Sequence, residues 1–228
     1  MRSKTDFSFR DHADAFDDHI GSSIPGYRDV LLPECVRQSL RFVQPGTNVY
    51  DVGCSTGLLL DEIESANRNA RPGVRYIGLD VEQAFKKHWA GRRRANLDFE
   101  RADARRYKFR KASLISSLFM IQFMPEKDKR DLLQRLHNGL VDGGAMIIAE
   151  KTLAETARLQ EALSGPYYDF KREMGFSAEQ ILDKERSLRG QMTLWSEAEL
   201  RGKLSSVGFR EISSFWRASS FVAYLALK

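Results

Sequence analysis

The sequence predicts an α/β fold: a doubly wound, mostly parallel seven-stranded sheet with a C-terminal antiparallel hairpin and a helical insertion. Three observations predict it. Apolar runs typical of buried strands alternate with helical patterns between residues 48 and 150. A glycine-containing turn at 53–57 joins the first strand to a helix. Two strand-like segments separated by a short turn end the chain. Strands that alternate with helices favour parallel pairing.

The N-terminal half supplies the first strands and the helices between them. A helical segment, residues 1–44, ends in an amphipathic helix, because Val36, Leu40 and Val43 are spaced four and three residues apart. The Gln-Pro-Gly sequence at 44–46 then breaks the helix. The predicted elements that follow are a strand at 48–52, a helix at 58–67, and strands at 76–80, 97–103 and within 112–123.

The C-terminal half completes the sheet. Pro125 begins a helix at 126–140, since proline is favoured in the first turn, and a strand follows at 145–150. Residues 151–194 are predicted to be a helical insertion. Ser177 with Gln180, and Ser196 with Glu199, have the spacing of capping boxes that begin helices. Strands at 209–218 and 221–228 form the closing hairpin.

Composition limits the class of protein. The 228 residues are 42% hydrophobic and 29% charged, which is typical of one globular domain spanning residues 1–228. The charged N-terminus lacks a signal-peptide core, and no run approaches the roughly 18 apolar residues of a membrane span. The two cysteines, Cys35 and Cys54, have no metal-site spacing. We therefore expect a cytoplasmic protein with no membrane association and no metal.

The net charge of +5 comes from one segment. Residues 86–111 contain eleven Lys and Arg against three acids, and the rest of the chain is slightly acidic. Such a segment can bind nucleic acid or another anion, or it can be a solvated helix face with its flanking loops. Direct nucleic-acid binding stays open at this point.

The glycine turn admits three chemistries. A dinucleotide fingerprint is disfavoured, because Ser55 stands where a second glycine would admit a pyrophosphate. The G-x-S-x-G pattern of a hydrolase elbow matches, but only His88 and His137 follow the serine, and neither is placed as a triad partner would be. The third chemistry, binding of S-adenosylmethionine (SAM), also explains the aspartate before the glycines.

Three acids lie at the ends of three successive predicted strands. The turn resembles that of class I SAM-dependent enzymes, in which an acid two residues before a glycine lies near the methionine part of the cofactor. Asp51 takes that position, Asp80 ends the second strand where an acid accepts the ribose hydroxyls, and Asp103 follows the third strand where a carboxylate contacts the adenine amino group. A cationic ligand without phosphates favours carboxylates over a helix N-terminus.

Longer motifs narrow the resemblance. The segments SIPGYRD, RFVQPGTNVYDVGCSTG, IQFMPE, DGGAMIIAEK, DFKREMGFSAEQI and ERSL resemble the carboxy-S-adenosyl-L-methionine synthase family, from about residue 16 to the C-terminus. The resemblance implies a Rossmann-like class I methyltransferase fold. It implies a transferase that converts SAM and prephenate into carboxy-SAM and phenylpyruvate, with the sulfonium acidifying the methyl group so that it captures the released CO2. It also implies a homodimer and a partner enzyme that uses carboxy-SAM to modify the wobble uridine of tRNA.

The resemblance assigns roles to individual residues. Arg186, in ERSL, matches the arginine that binds the new carboxylate of the product. A guanidinium suits this role because it can donate two parallel hydrogen bonds to one carboxylate. Tyr27, in SIPGYRD, matches a tyrosine that contacts the cofactor. The implied cofactor-binding set is Tyr27, Asp51, Gly53, Cys54, Ser55, Gly57, Asp80, Val81, Asp103, Ala104 and Leu118.

Two positions depart from the family pattern. Val81 and Leu118 stand where the family has asparagines, one after the ribose-binding acid and one in the fourth strand. These changes indicate a divergent branch of the family, and two other hypotheses stay open beside the synthase. A conventional methyltransferase would have a separate methyl acceptor, for which the basic segment is a candidate. A SAM-fold module without catalysis would bind RNA or a protein, and its RNA binding would depend on salt.

Overall fold

Eight strands build the sheet in this computed structural model, which describes residues 13–228. The strands are β1 (Asn48–Val52), β2 (Arg75–Asp80), β3 (Leu97–Arg101), β4 (Ala112–Leu118), β5 (Leu140–Leu153), β6 (Trp195–Ser196), β7 (Glu211–Ala218) and β8 (Phe221–Leu227). The helices are α1 (Phe16–Ser23), α2 (Leu32–Phe42), α3 (Leu58–Asn67), α4 (Lys86–Trp89), α5 (Glu126–Gly139), α6 (Ala157–Glu173), α7 (Ala178–Leu188) and α8 (Glu197–Ser206). A π-helical turn, Tyr27–Leu31, precedes α2.

The sheet order confirms the predicted fold class. The strands are arranged β3-β2-β1-β4-β5-β8-β7, and every neighbour from β3 to β5 is parallel. β8 pairs antiparallel with β5 and with β7, which is the predicted C-terminal hairpin. The order reverses between β1 and β4. In open α/β sheets a ligand crevice forms at such a reversal, beyond the carboxyl ends of the strands.

The strand count was underestimated by one. β5 continues to Leu153, and its Thr152 pairs in parallel with Trp195 of the two-residue strand β6. Residues 151–153, predicted as the start of the helical insertion, therefore belong to the sheet. The insertion itself is confirmed as helical, since α6 and α7 follow. Of the predicted N-terminal helical segment, residues 1–12 lie outside the described residues.

Both faces of the sheet are covered by apolar side chains. Val49, Leu114 and Ile147 belong to one buried cluster, which includes residues of α2 and α3. The alternate strand residues Tyr50 and Ile115 belong to a second cluster, with leucines of α5 and α8. Burying a side chain of this size stabilises a fold by about 1.5–3 kcal/mol. Burial on both faces explains why the strands are continuously apolar.

Within residues 13–228, no helix is both long and apolar enough to cross a membrane.

Candidate active site

A cavity of about 530 Å³ lies at the reversal of strand order. Residues at or just beyond the carboxyl ends of β1, β2, β3, β4 and β5 line it, and side chains from α1, α6 and α7 complete its wall. Its volume lies within the range of sites that bind small molecules and cofactors. Nearly all of the predicted cofactor-binding set lines it: Tyr27, Asp51, Gly53, Cys54, Ser55, Asp80, Val81, Asp103, Ala104 and Leu118.

The glycine turn needs its glycines for space as well as for backbone conformation. Gly53 and Gly57 have φ angles of 80° and 82°. A Cβ on Gly53 would lie 2.6 Å from Cγ of Met120, and one on Gly57 would lie 2.3 Å from Cε1 of Phe99. Gly57 is not on the cavity wall; it precedes the first residue of α3 and holds the turn against β3.

Asp51 is a buried acid at the end of β1. It is 4% exposed, and the Ser116 hydroxyl donates a hydrogen bond of 2.7 Å to its Oδ1. Burial raises the pKa of Asp51 to about 7, although the hydroxyl bond opposes the shift. Burial disfavours the ionised form of this carboxyl group, so a cationic ligand beside it would stabilise that form.

Asp80 is held in place by the backbone. The amide of Ser55 donates to its Oδ2 at 2.9 Å, and the amide of Glu82 donates to its Oδ1 at 2.8 Å. Burial raises the pKa of Asp80 and these N–H groups lower it. Each oxygen keeps a further lone pair that can accept from a ligand hydroxyl. The contact between Asp80 and Ser55 fixes the glycine turn relative to β2.

Asp103 lies at the rim of the cavity beside a guanidinium. Arg105 donates to both of its oxygens and also contacts Asp128 at 2.9 Å. Hydrogen bonds from Arg105 hold the pKa of Asp103 below its usual range. Asp103 is therefore an ionised acceptor in a fixed orientation, next to Ala104 on the wall.

Apolar and aromatic side chains form most of the remaining wall. Val81 is 60% exposed and Leu118 is half-buried, so both departures from the family pattern lie directly on the cavity. Tyr27 begins the π-helical turn after Gly26, whose φ is 69°. Its ring contacts that of Phe119, with centroids 6.1 Å apart. Burial keeps the hydroxyl of Tyr27 protonated by raising its pKa.

The aromatic wall continues to the opposite end of the cavity. Phe119 contacts Phe221 edge to face at 5.8 Å, and Phe221 contacts Tyr167 at 5.4 Å between centroids. Sequence analysis missed these rings and the three lysines beside them, Lys151, Lys171 and Lys184. Two of the lysines lie in motifs that carried the family resemblance, DGGAMIIAEK and DFKREMGFSAEQI. The pattern marked these segments as distinctive without showing that their charges face one space.

Arg186 does not line the cavity. α7 presents Ile181, Lys184, Glu185 and Leu188 to it, at the three- and four-residue spacing of one helix face. Arg186 lies on a neighbouring face, 68% exposed, and pairs with Asp183 at 3.1 Å. The guanidinium of Arg186 therefore does not reach the cavity of its own chain. Its carboxylate-binding role stays a prediction.

The geometry disfavours the hydrolase interpretation. His88 contacts the carbonyl of Ala13 at 2.7 Å, and His137 packs edge to face on Phe209. Neither histidine lines the cavity that Ser55 lines. Cys54 is buried, which raises the pKa of its thiol and keeps it protonated.

Much of the basic segment is neutralised inside the chain. Arg92 and Arg94 both pair with Asp61, at 2.8 and 2.5 Å, and Arg94 also approaches Glu64. Arg93 pairs with Asp98 at 3.1 Å. These contacts support the interpretation of the segment as a solvated, internally paired surface.

Comparisons with known proteins agree with this site. A model of the methyltransferase domain matches residues 50–146, which include the turn and all three acids. A carboxy-S-adenosyl-L-methionine synthase from Staphylococcus epidermidis is 30% identical over 97% of this chain and 96% of its own length. One from Klebsiella pneumoniae is 32% identical over 95% of this chain and 88% of its own length. The chain belongs to the carboxy-S-adenosyl-L-methionine synthase family.

Family membership confirms the resemblance seen in the motifs, and with it the assignment to transferases that act on SAM. A solved structure supports the fold. Human N-acetylserotonin methyltransferase in complex with SAM has a TM-score of 0.58 and is 18% identical, and the match covers 89% of this chain and 55% of that chain.

The site residues fit SAM as a ligand. The glycine turn leaves space that a Cβ would fill, two carboxyls are buried or nearly so, and an aromatic wall lies beside them. All three predicted acids, Asp51, Asp80 and Asp103, line the same cavity.

Proposed function

We propose that this protein is a carboxy-SAM synthase, which converts SAM and prephenate to carboxy-SAM and phenylpyruvate. The observation that carries the proposal is a cavity with carboxylates at one end and lysines at the other, in a chain of this family. The first end suits a sulfonium cofactor. The second suits an anionic carboxyl donor.

The reaction balances without an external oxidant or reductant. Prephenate loses CO2 and hydroxide as its ring becomes aromatic, and the methyl group of SAM loses a proton as it gains CO2. Hydroxide and the proton leave as water. Aromatisation supplies the driving force, so the protein's task is to hold the two reactants together and to exclude water. The aromatic wall from Tyr27 to Tyr167 supports that role.

We assign the cofactor to the acidic end. In this assignment Asp51 faces the positive methionine part of SAM, Asp80 accepts the ribose hydroxyls, and Asp103 meets the adenine with Ala104 beside it. The backbone of residues 53–55 approaches the ligand closely because Gly53 has no side chain. Val81 and Leu118 supply apolar contacts at the two positions where the family has asparagine.

The remaining family features are proposals as well. We propose that the protein works in the cytoplasm as a homodimer, and that its product feeds an enzyme that modifies the wobble uridine of tRNA. Arg186 keeps its proposed role as a carboxylate ligand in this setting. Its exposed position is compatible with a role at an interface between copies.

The test follows one carbon atom. The purified protein is incubated with SAM and with prephenate that carries 13C in its ring carboxylate, and the products are measured by mass spectrometry. We expect a species heavier than SAM by one labelled CO2, together with phenylpyruvate. The isosteric variant Asp51→Asn should form much less of it, and Lys203→Gln, on the outer helix α8, should match the wild type.

A conventional methyltransferase is the second candidate, favoured by the match of residues 50–146 to a methyltransferase domain. It predicts S-adenosylhomocysteine as the product and unchanged prephenate. If the labelled carbon never enters a SAM derivative, the synthase proposal is wrong and a methyl acceptor should be sought.

A further inference from the structure

We propose that Lys151, Lys171 and Lys184 form the binding site for the carboxylates of the donor, so that the donor's charge is recognised within a single chain. The inference rests on the proposed function, because it names the part of the same cavity that takes the second substrate. The lysine cluster is defined as these three side chains.

The three lysines come from three different elements. Lys151 lies near the end of β5, Lys171 in the last turn of α6, and Lys184 in α7. All three line the one cavity. Elements far apart in the chain have therefore placed three lysine side chains around a shared space, in which they would attract an anionic ligand.

Lys151 and Lys171 have no ion-pair partner in the part of the chain that the structure describes. Within residues 13–228 neither ammonium group forms an ion pair or a side-chain hydrogen bond. Lys171 is only 6% exposed, and its Nζ lies 5.5 Å from the centroid of Tyr167. The Nζ of Lys151 lies 5.4 Å from the same ring. Buried charges are normally paired, so this arrangement is unusual.

Burial acts on all three lysines, and Glu185 opposes its effect on Lys151 and Lys171. Burial lowers the pKa of Lys151, Lys171 and Lys184, the last to about 8, and the neighbouring lysine adds to the shift for Lys171 and Lys184. One acid is present among them: Glu185 lies in the cluster and accepts a hydrogen bond from Tyr168. Lys151 and Lys171 together outnumber this one acid, and a ligand with carboxylates would neutralise the excess positive charge.

The position of the cluster separates it from the cofactor end. The three acids lie at or just beyond the carboxyl ends of β1, β2 and β3, whereas Lys151 belongs to β5, which is separated from β1 by β4. Two strand spacings are about 10 Å. The aromatic rings between the two ends, Phe119 and Phe221, offer a face for a six-membered ring. A ring that bears two carboxylates matches this combination of wall and cations.

The test measures donor binding apart from turnover. Prephenate is titrated by calorimetry into protein saturated with S-adenosylhomocysteine, which has no methyl group to react. The variants are Lys151→Met and Lys171→Met, which keep the aliphatic stem and remove the charge. Lys203→Gln, whose cation pairs with Glu126 outside the cavity, is the control.

We expect each Met variant to weaken prephenate binding by tenfold or more and to change the affinity for SAM by less than twofold. Lys171→Met should also keep or raise the melting temperature, because it removes a buried charge. Lys171→Arg should restore part of the affinity. A merely structural role would instead lower the melting temperature and weaken both ligands together.

The outcomes separate the two proposals. Lysine-dependent binding of prephenate without carboxy-SAM formation would support the site and contradict the synthase. Carboxy-SAM formation with unchanged prephenate affinity in both Met variants would overturn the site and leave the synthase standing. Equal affinity for prephenate and for the monocarboxylate phenylpyruvate would also overturn the proposed site, because the lysine cluster would then not distinguish two carboxylates from one.

Discussion

Asp51 controls the charge of the acidic end at the scale of a single residue. Its pKa of about 7 results from burial, so a fraction of the molecules holds it neutral near neutral pH. A cationic ligand binds the ionised form. We expect the dissociation constant of SAM to rise about tenfold from pH 7.5 to pH 6, as protonation competes with binding.

The matched variant for this first prediction is Asp51→Asn. The amide keeps the size of the side chain and can still accept from Ser116, but it does not titrate. SAM should therefore bind it weakly and with little change between pH 6 and 7.5, a range in which Tyr27 and Cys54 stay protonated. A wild-type slope that persists in this variant would assign the titration to Asp80 or to the ligand.

Residue types differ in how far the sequence could place them. Asp51 and Asp80 were predictable because the carboxyl ends of neighbouring parallel strands meet at one edge of a sheet. Lys171 and Lys184 were not, since their approach depends on how α6 and α7 pack over that edge. Arg186 shows the limit of a motif: the match identified the segment, but the helix face decided which side chains enter the cavity.

At the scale of elements, α7 carries one lysine of the cluster, and its capping box offers a way to destabilise that helix selectively. Ser177 accepts from the amide of Gln180 at 3.1 Å, and Gln180 accepts from the amide of Ser177 at 2.8 Å. Replacing such a cap by alanine costs about 1 kcal/mol. We expect Ser177→Ala to raise KM for prephenate several-fold, because Lys184 lies two turns further along the helix.

The chain contains its own control for this second prediction. Ser196 and Glu199 form the same box at the start of α8, with distances of 3.2 and 2.7 Å. α8 lines none of the cavity. Ser196→Ala should therefore lose similar stability in urea and keep the wild-type KM. Equal effects of the two variants on KM would show that global stability, not the position of α7, is being measured.

The elements also show which boundaries the local sequence predicts correctly. Both capping boxes and the ends of α3 agree with the sequence, because caps and glycine turns are decided by residues close in the chain. β6 was missed, since two residues carry no periodicity and pair only because β5 extends to Leu153. The same extension brings Lys151 to the cavity as part of a strand.

At the scale of the whole molecule, the positions of the charged side chains are more informative than the net charge. Several arginines of the basic segment are neutralised by acids of α3 and of the segment itself. The cavity instead separates its charges, with acids at the β1 to β3 side and lysines at the β5 side. The net charge of +5 therefore says little about the ligand, and the distribution within one cavity says more.

This separation leads to a prediction about the molecule as one binding unit. SAM and the donor carry opposite charges and enter adjoining parts of one cavity, so each should lower the electrostatic cost of binding the other. We expect SAM to tighten the binding of a non-reacting dicarboxylate analogue of the donor about fivefold or more, whereas S-adenosylhomocysteine, which lacks the sulfonium charge, should do so less. Thermodynamic linkage requires the analogue to tighten SAM by the same factor. Calorimetry in both orders measures the coupling, and raising the salt concentration should reduce it only weakly because the charges are shielded from solvent. Coupling that is equal for the two cofactors would show that packing along the aromatic wall, and not the sulfonium charge, joins the two ends of the site.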